Sequence, residues 1–278
     1  MKTPLTSRLY VAATPIGNPG DASSRLLEVL TTADLILAED TRRASGLFRR
    51  LGISAGPVKS FHDHNEEGRI EQVLAALSQG QTVALISDAG TPLLSDPGYR
   101  LVRACREHGY RVSPLPGPSA PVAALSVCGL PPYPFAFLGF MPRKAGAVRE
   151  ALAPYARLAL TLIFFERKDR LAATLGLAHE LFGERECAVA RELTKDYEEI
   201  LVRPLSEWAG CKEELLGEIT VVIGPPIGPC LDPEDLALAV LNEERVVGGR
   251  PREVARRAAT RLQGWTVKAL YERLKTLG

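Results

Sequence analysis

The first 115 residues alternate short apolar runs with amphipathic stretches, and this alternation constrains the fold more than any other feature of the chain. Leu9–Ala13, Asp34–Ala38, Val58–Phe61, Thr82–Ile86 and Tyr110–Leu115 read as strands. Between them, Ser24–Leu30, Arg42–Leu51 and Glu66–Leu77 read as helices. In the last of these, Ile70, Val73, Leu74 and Leu77 repeat at i, i+3, i+4 and i+7. A fourth helix is expected to open at Asp96-Pro97, with the aspartate as cap and the proline in the first turn. Strands that alternate with helices in this way predict an α/β fold with a parallel sheet covered on both faces.

The pattern breaks at a proline cluster, Pro114 to Pro121 and then Pro131 to Pro134, which brackets one apolar helix. Beyond it, strands are expected at Phe135–Leu138, Leu158–Phe165, Cys187–Arg191, Glu199–Val202 and Glu218–Ile223; the last of them lie close together in sequence, which predicts a mixed or antiparallel sheet. Gly224–Pro229 reads as a linker to a helical tail with a cap pair at Asp232-Pro233. The expected units are therefore a parallel-sheet α/β domain (1–119), a second α/β domain with a mixed sheet (120–226), and a small helical tail (232–278).

The 34 basic and 33 acidic residues nearly cancel, which excludes a uniformly basic nucleic-acid wrapper but not a local patch. From Arg245 onward there are nine Arg or Lys against two Glu, an excess of seven. On the tail, Val254, Ala258 and Leu262 form a packing stripe that leaves Arg252, Arg256 and Arg261 for RNA phosphates. No apolar run approaches the roughly 18 residues of a membrane helix, and the first apolar stretch is too short for a signal-peptide core. Five scattered cysteines without a CxxC pattern read as thiols of a reducing cytoplasm.

No GxxxxGK[ST] or GxGxxG is present. Instead, three loops after strands are rich in Gly, Pro and small polar residues: Ala13-Thr14-Pro15-Ile16-Gly17-Asn18, Ser87-Asp88-Ala89-Gly90-Thr91-Pro92, and Pro116-Gly117-Pro118-Ser119-Ala120. One such loop is explained by a tight turn. Three at one sheet edge predict a ligand cleft at the carboxyl ends of the strands. His62-Asp63-His64 supplies two possible metal ligands and no clear third, so no metal is expected and a loop facing RNA is the better reading.

These loops, with Ala38-Glu39-Asp40-Thr41-Arg42, Gly139-Phe140-Met141-Pro142-Arg143-Lys144 and Ala190-Arg191-Glu192-Leu193-Thr194-Lys195, occur in an order that resembles the bacterial methyltransferases acting on a cytidine ribose 2′-hydroxyl of small-subunit (16S) rRNA, within the tetrapyrrole methylase superfamily. The resemblance implies S-adenosylmethionine as donor, a homodimer, and a cytidine near the decoding site as substrate, in rRNA or the 30S particle. It places Pro15, Ser87, Asp88, Gly90, Thr91, Ser119 and Ala120 at the donor, with Glu166 and Leu193 from the second domain. The chain departs from the family pattern at Arg167-Lys168-Asp169.

Transfer to a hydroxyl calls for alignment and a proton acceptor. Glu39, Asp40, Glu192 and Lys195 are the candidates, and residue type does not choose among them. Arg42, His62, Arg143 and Lys144 are expected to face RNA, and Phe164-Phe165 to be core. Two other functions remain open at this point: methylation of a small tetrapyrrole, and a non-catalytic RNA-binding module that responds to the donor.

Overall fold

A computed structural model describes residues 7–276 apart from 212, 214, 228–233 and 263. The first sheet is built from β1 (Arg8–Ala12), β2 (Leu35–Ala38), β3 (Val58–Ser60), β4 (Thr82–Ile86) and β5 (Arg111–Leu115) in the order β3-β2-β4-β1-β5, all parallel. The crossovers carry α1 (Ser24–Thr32), α2 (Thr41–Leu51), α3 (Glu66–Ser78) and α4 (Tyr99–Glu107). The strands read as continuous apolar runs because both faces are buried. Tyr10, Ile36, Ala38, Ala84 and Ile86 pack on one side, while Leu9, Leu35, Leu37, Val83 and Leu85 pack on the other. With every strand parallel, the loops after β1, β2, β4 and β5 leave the sheet at one edge.

The second sheet takes β6 (Phe135–Phe140), β7 (Thr161–Glu166), β8 (Glu186–Arg191), β9 (Glu199–Pro204) and β10 (Ile219–Ile223) in the order β6-β7-β10-β8-β9. The β6–β7 pair is parallel and the other pairs are antiparallel, so of the two arrangements the strand spacing allows the sheet is the mixed one. One face packs against α6 (Ala145–Leu152), α7 (Leu171–Phe182) and the short α8 (Leu205–Ala209). There Trp208, 1% exposed, donates its indole N–H to the carbonyl of Cys187 at 3.0 Å. The opposite face packs against α5 (Ala120–Val127), whose Ala124 and Leu125 meet Ile163, Ala188 and Val222.

The tail forms three helices, α9 (Glu234–Val247), α10 (Pro251–Arg261) and α11 (Val267–Thr276), around Leu241, Val254, Ala258, Leu262 and Leu270. Buried Glu244 accepts hydrogen bonds from Arg257 at 2.7 Å and Arg261 at 2.8 Å, and these bonds hold its carboxyl below the usual range.

Two local readings change. The fourth helix starts at Tyr99, capped by Gly98 at φ 130°, because Asp96 and Pro97 belong to the loop that closes over the sheet edge. Helix α8 has only five residues, too short to show a helical repeat. The Asp232-Pro233 cap pair lies outside the described residues.

Phe164, fully buried on β7, shares its core with Trp208. Phe164→Ala should therefore cost about 3–5 kcal/mol, seen as a lower urea midpoint in tryptophan fluorescence. An unchanged midpoint would show that this strand does not anchor the second sheet.

Candidate functional site

At the carboxyl edge of the first sheet the loops are tied to one another. Thr14 and Gly90 exchange backbone hydrogen bonds at 2.9 and 3.1 Å, and the Thr91 hydroxyl donates to the Pro118 carbonyl at 3.0 Å. The Ser87 hydroxyl donates to the carbonyls of Ala89 and Gly90, each at 3.2 Å, so Ser87 shapes the loop from beneath rather than lining its surface. The second domain closes the other side. Asn18 N–H donates to the Thr194 hydroxyl at 3.1 Å, and a Cβ on Gly17 would lie only 2.5 Å from Lys195 Cγ. Glycine is therefore required at position 17 for the two lobes to meet.

Between the lobes lies a cleft of about 1260 Å3. Pro15, Asp88, Gly90, Thr91, Ser119 and Ala120 line it from the first side, and Glu166 and Leu193 from the second. The Ser119 hydroxyl oxygen is buried without a hydrogen-bond partner among the described residues. Leu193 is held between two non-glycine residues in the left-handed region, Glu192 at φ 50° and Thr194 at φ 65°. Glu166 lines the cleft with its carboxylate turned to partners of its own lobe. Its carboxylate is fully engaged with Thr174 at 2.6 Å, Arg170 at 2.5 Å and the Arg167 amide at 2.7 Å. Arg170 in turn donates to the Met141 and Pro142 carbonyls, so Glu166 acts as a brace between strand ends.

The four candidate proton acceptors separate clearly. Asp40 caps α2, and the hydrogen bonds from Arg42 hold its carboxyl down at about 2. Glu192 accepts from the Glu218 amide and from Lys195, and is lowered. Lys195 is drawn down by burial, but the Glu218 and Glu192 carboxylates outweigh this and keep it an ammonium. Among the three carboxyls only Glu39 lines the cleft, and its pKa is raised, first through burial and then through Asp88.

The sequence reading missed a second raised acid. Burial, followed by the charge of Glu39, pushes the Asp96 carboxyl up to about 6, while its hydrogen bond with Ser87 opposes the rise. The sequence places Asp96 in the loop segment Ser95-Asp96-Pro97-Gly98 after the fourth strand but also reads it as a helix cap, and its place in the cleft follows from the later start of α4. Asp88 is ion-paired with Arg43 at 3.2 Å. Glu39, Asp88 and Asp96 thus line the cleft together.

The residues expected to face RNA lie outside the cleft. Arg42 is on α2, paired with Asp40. His62 packs on Asn65, with its Nδ1 buried and unpartnered among the described residues. Exposed Arg143 and Lys144 precede α6. On the tail, Arg256 is exposed and Arg252 lies over the Tyr271 ring at 5.9 Å. Arg261 is instead spent on Glu243 and Glu244. Counting α9 with the rest adds Glu234, Asp235, Glu243 and Glu244, so the basic excess of the described tail falls from seven to three.

Two α/β lobes facing across such a cleft define a ligand-binding protein with a shared site. A family model, Tetrapyrrole (Corrin/Porphyrin) Methylases, matches residues 8–209. Ribosomal RNA small subunit methyltransferase I of Mesorhizobium japonicum is 44% identical over 278 residues, covering 99% of this chain and 93% of its own. The protein of the same name from Escherichia coli O157:H7 is 43% identical, covering 95% and 93%. Among solved structures, the methyltransferase CobJ is similar with a TM-score of 0.61 at 20% identity, covering 80% of this chain and 97% of its own. Uroporphyrin-III C-methyl transferase from Thermus thermophilus, complexed with S-adenyl homocysteine, is similar with a TM-score of 0.57 at 20% identity, covering 78% and 97%. The chain belongs to the tetrapyrrole methylase family and, within it, groups with ribosomal RNA small subunit methyltransferase I.

Because Asp96 binds its proton more tightly folded than unfolded, stability should fall as pH rises from about 4 to about 6. Asp96→Asn should remove that slope and melt a few degrees higher than the parent at pH 7. Parallel melting curves for the two proteins across pH 4–7 would contradict the assignment.

Proposed function

We propose that this protein transfers a methyl group from S-adenosylmethionine to the ribose 2′-hydroxyl of a cytidine in 16S rRNA near the decoding site, working in the cytoplasm as a homodimer. The observation that carries the reading is the cleft itself, lined by three interlocked loops and by acids and closed by the second lobe, in a chain that groups with rRNA methyltransferases. The residues present suit the donor. Glu39, Asp88 and Asp96 complement a molecule carrying a sulfonium and an ammonium, Pro15 and Leu193 offer apolar walls, and the unpartnered Ser119 hydroxyl awaits a polar partner. When bound, the donor supplies an electrophilic methyl group.

The chain must align the ribose oxygen with that methyl and exclude water, and such positioning supplies ~7–11 kcal/mol of a barrier. Glu39 takes the hydroxyl proton, since burial and neighbouring acids raise its carboxylate while those of Asp40 and Glu192 are lowered and Lys195 stays an ammonium. The division into units at 1–119, 120–226 and 232–278 belongs to this reading and is supported by their separate cores. The tail holds RNA phosphates through Arg252 and Arg256. Exposed Val122 and Val127 on α5, with Tyr133 and Phe135 beyond it, supply apolar surface for the dimer.

Labelled donor should be offered with 30S particles lacking the modification, naked rRNA and a porphyrin precursor. Label is expected in a ribose 2′-O-methyl group of rRNA. Glu39→Gln should lower kcat by about 10²–10⁴-fold, and the double change Arg252→Ala, Arg256→Ala should weaken particle binding and flatten its salt dependence. Label in the porphyrin would favour the small-molecule reading, and binding without turnover the non-catalytic one. Sedimentation should give about twice the 30.1 kDa chain mass, and a monomer at micromolar concentration would refute the dimer.

A further inference from the structure

On the second lobe, the aromatic ring of Phe140 stands 60% exposed in the wall of the cleft. Strand β6 begins in regular register with β7, pairing Phe135 with Thr161, Ala136 with Leu162 and Phe137 with Ile163. The register then slips, so that Leu138 and Gly139 together oppose Phe164, and Phe140 pairs with Phe165. This is a two-against-one bulge, uncommon between parallel strands.

The bulge decides where Phe140 points. Ala136 and Leu138 face the core containing Trp208, whereas Phe137 faces the α5 side. Strict alternation would send Phe140 the same way as Ala136 and Leu138, into that core. The extra residue instead returns it to the face of Phe137. Gly139 makes the bulge possible: it sits at φ 70°, and a Cβ there would be 2.9 Å from Ser95 Oγ of the opposite lobe.

The exposed ring is held in a fixed place. Phe165 lies 5.0 Å from Phe140 and 5.0 Å from Phe137, centroid to centroid, so three rings form a shelf whose last member projects into the cleft. Each lobe also contributes a cation to the cleft. Arg50 of α2 and Lys168 after β7 line the same cleft and pair with no carboxylate among the described residues. A flat, exposed aromatic surface in a cleft that also holds these two unpaired cations matches an unstacked nucleobase with its flanking phosphates.

We infer that Phe140 is the stacking platform for the base of the nucleotide to be methylated, swung out of its helix into the cleft so that its ribose is presented to the donor. This rests on the rRNA methyltransferase reading above. The ring is a binding and positioning element and takes no part in proton transfer.

The test compares parent protein, Phe140→Ala, Phe140→Leu and Phe140→Trp, measuring methyl transfer to 30S particles lacking the modification, with donor affinity by calorimetry. Stacking on one base predicts a loss of about five- to hundredfold in kcat/KM for Ala and for Leu, with Trp within about threefold of the parent. All four should bind S-adenosylmethionine alike. If Leu is as active as Phe, apolar bulk suffices and the platform is refuted. It is equally refuted if Trp fails as badly as Ala, or if donor affinity falls with the ring. A parent protein that leaves 30S unlabelled overturns the rRNA reading first and this inference with it, an outcome visible before any variant is measured.

Discussion

The contact on which the rest of the structure depends is the closure of the two lobes at Gly17 and Asn18. The Asn18 amide reaches the Thr194 hydroxyl, and the absence of a side chain at Gly17 lets the loop after β1 settle against Lys195. Everything at the cleft takes its position from that approach. Pro15 and Leu193 become opposite walls of one space, and the acids at the ends of β2 and β4 come to line it. Part of the cost is backbone strain at Glu192 and Thr194, offset by the bonds from Lys195 and the Glu218 amide to the Glu192 carboxylate and from the Thr194 amide to Glu198.

Much of this was legible in the sequence, for identifiable reasons. A parallel sheet covered on both faces leaves continuous apolar runs, so the strands of the first lobe stand out. Loops that must approach a ligand closely use Gly, Pro and small polar residues, so Pro15, Asp88, Gly90, Thr91, Ser119 and Ala120 could be placed together at one edge. Leu193, from the other lobe, was reachable only through the family resemblance.

What was not legible depends on partners distant in sequence. Glu39, Asp40, Glu192 and Lys195 are all plausible proton acceptors by residue type, and only their surroundings separate a partly desolvated carboxyl from a cap and an ion pair. Asp96 beside Pro97 satisfies every local rule for a helix start, yet the chain spends it in the cleft. The tail's charge misleads when counted from Arg245, because α9 returns acids to the arginines of α10. The bulge in β6 has no signature beyond one glycine, and alternation alone would have buried Phe140.

The distribution of charge in the cleft has a consequence for how a substrate can enter. Exposed Arg50 and Lys168 line it, and the carboxyls of Glu39, Asp88 and Asp96 gather on the loops after β2 and β4. A polyanion is drawn to the cations and repelled by the carboxyls, so its backbone is held off the acidic side. Only the uncharged parts of a nucleotide, sugar and base, can come close to the carboxyls. Approach is thus gauged by charge. A chain laid against the cations is stopped by its own phosphates, and the group that reaches furthest from them is the one the carboxyls can meet.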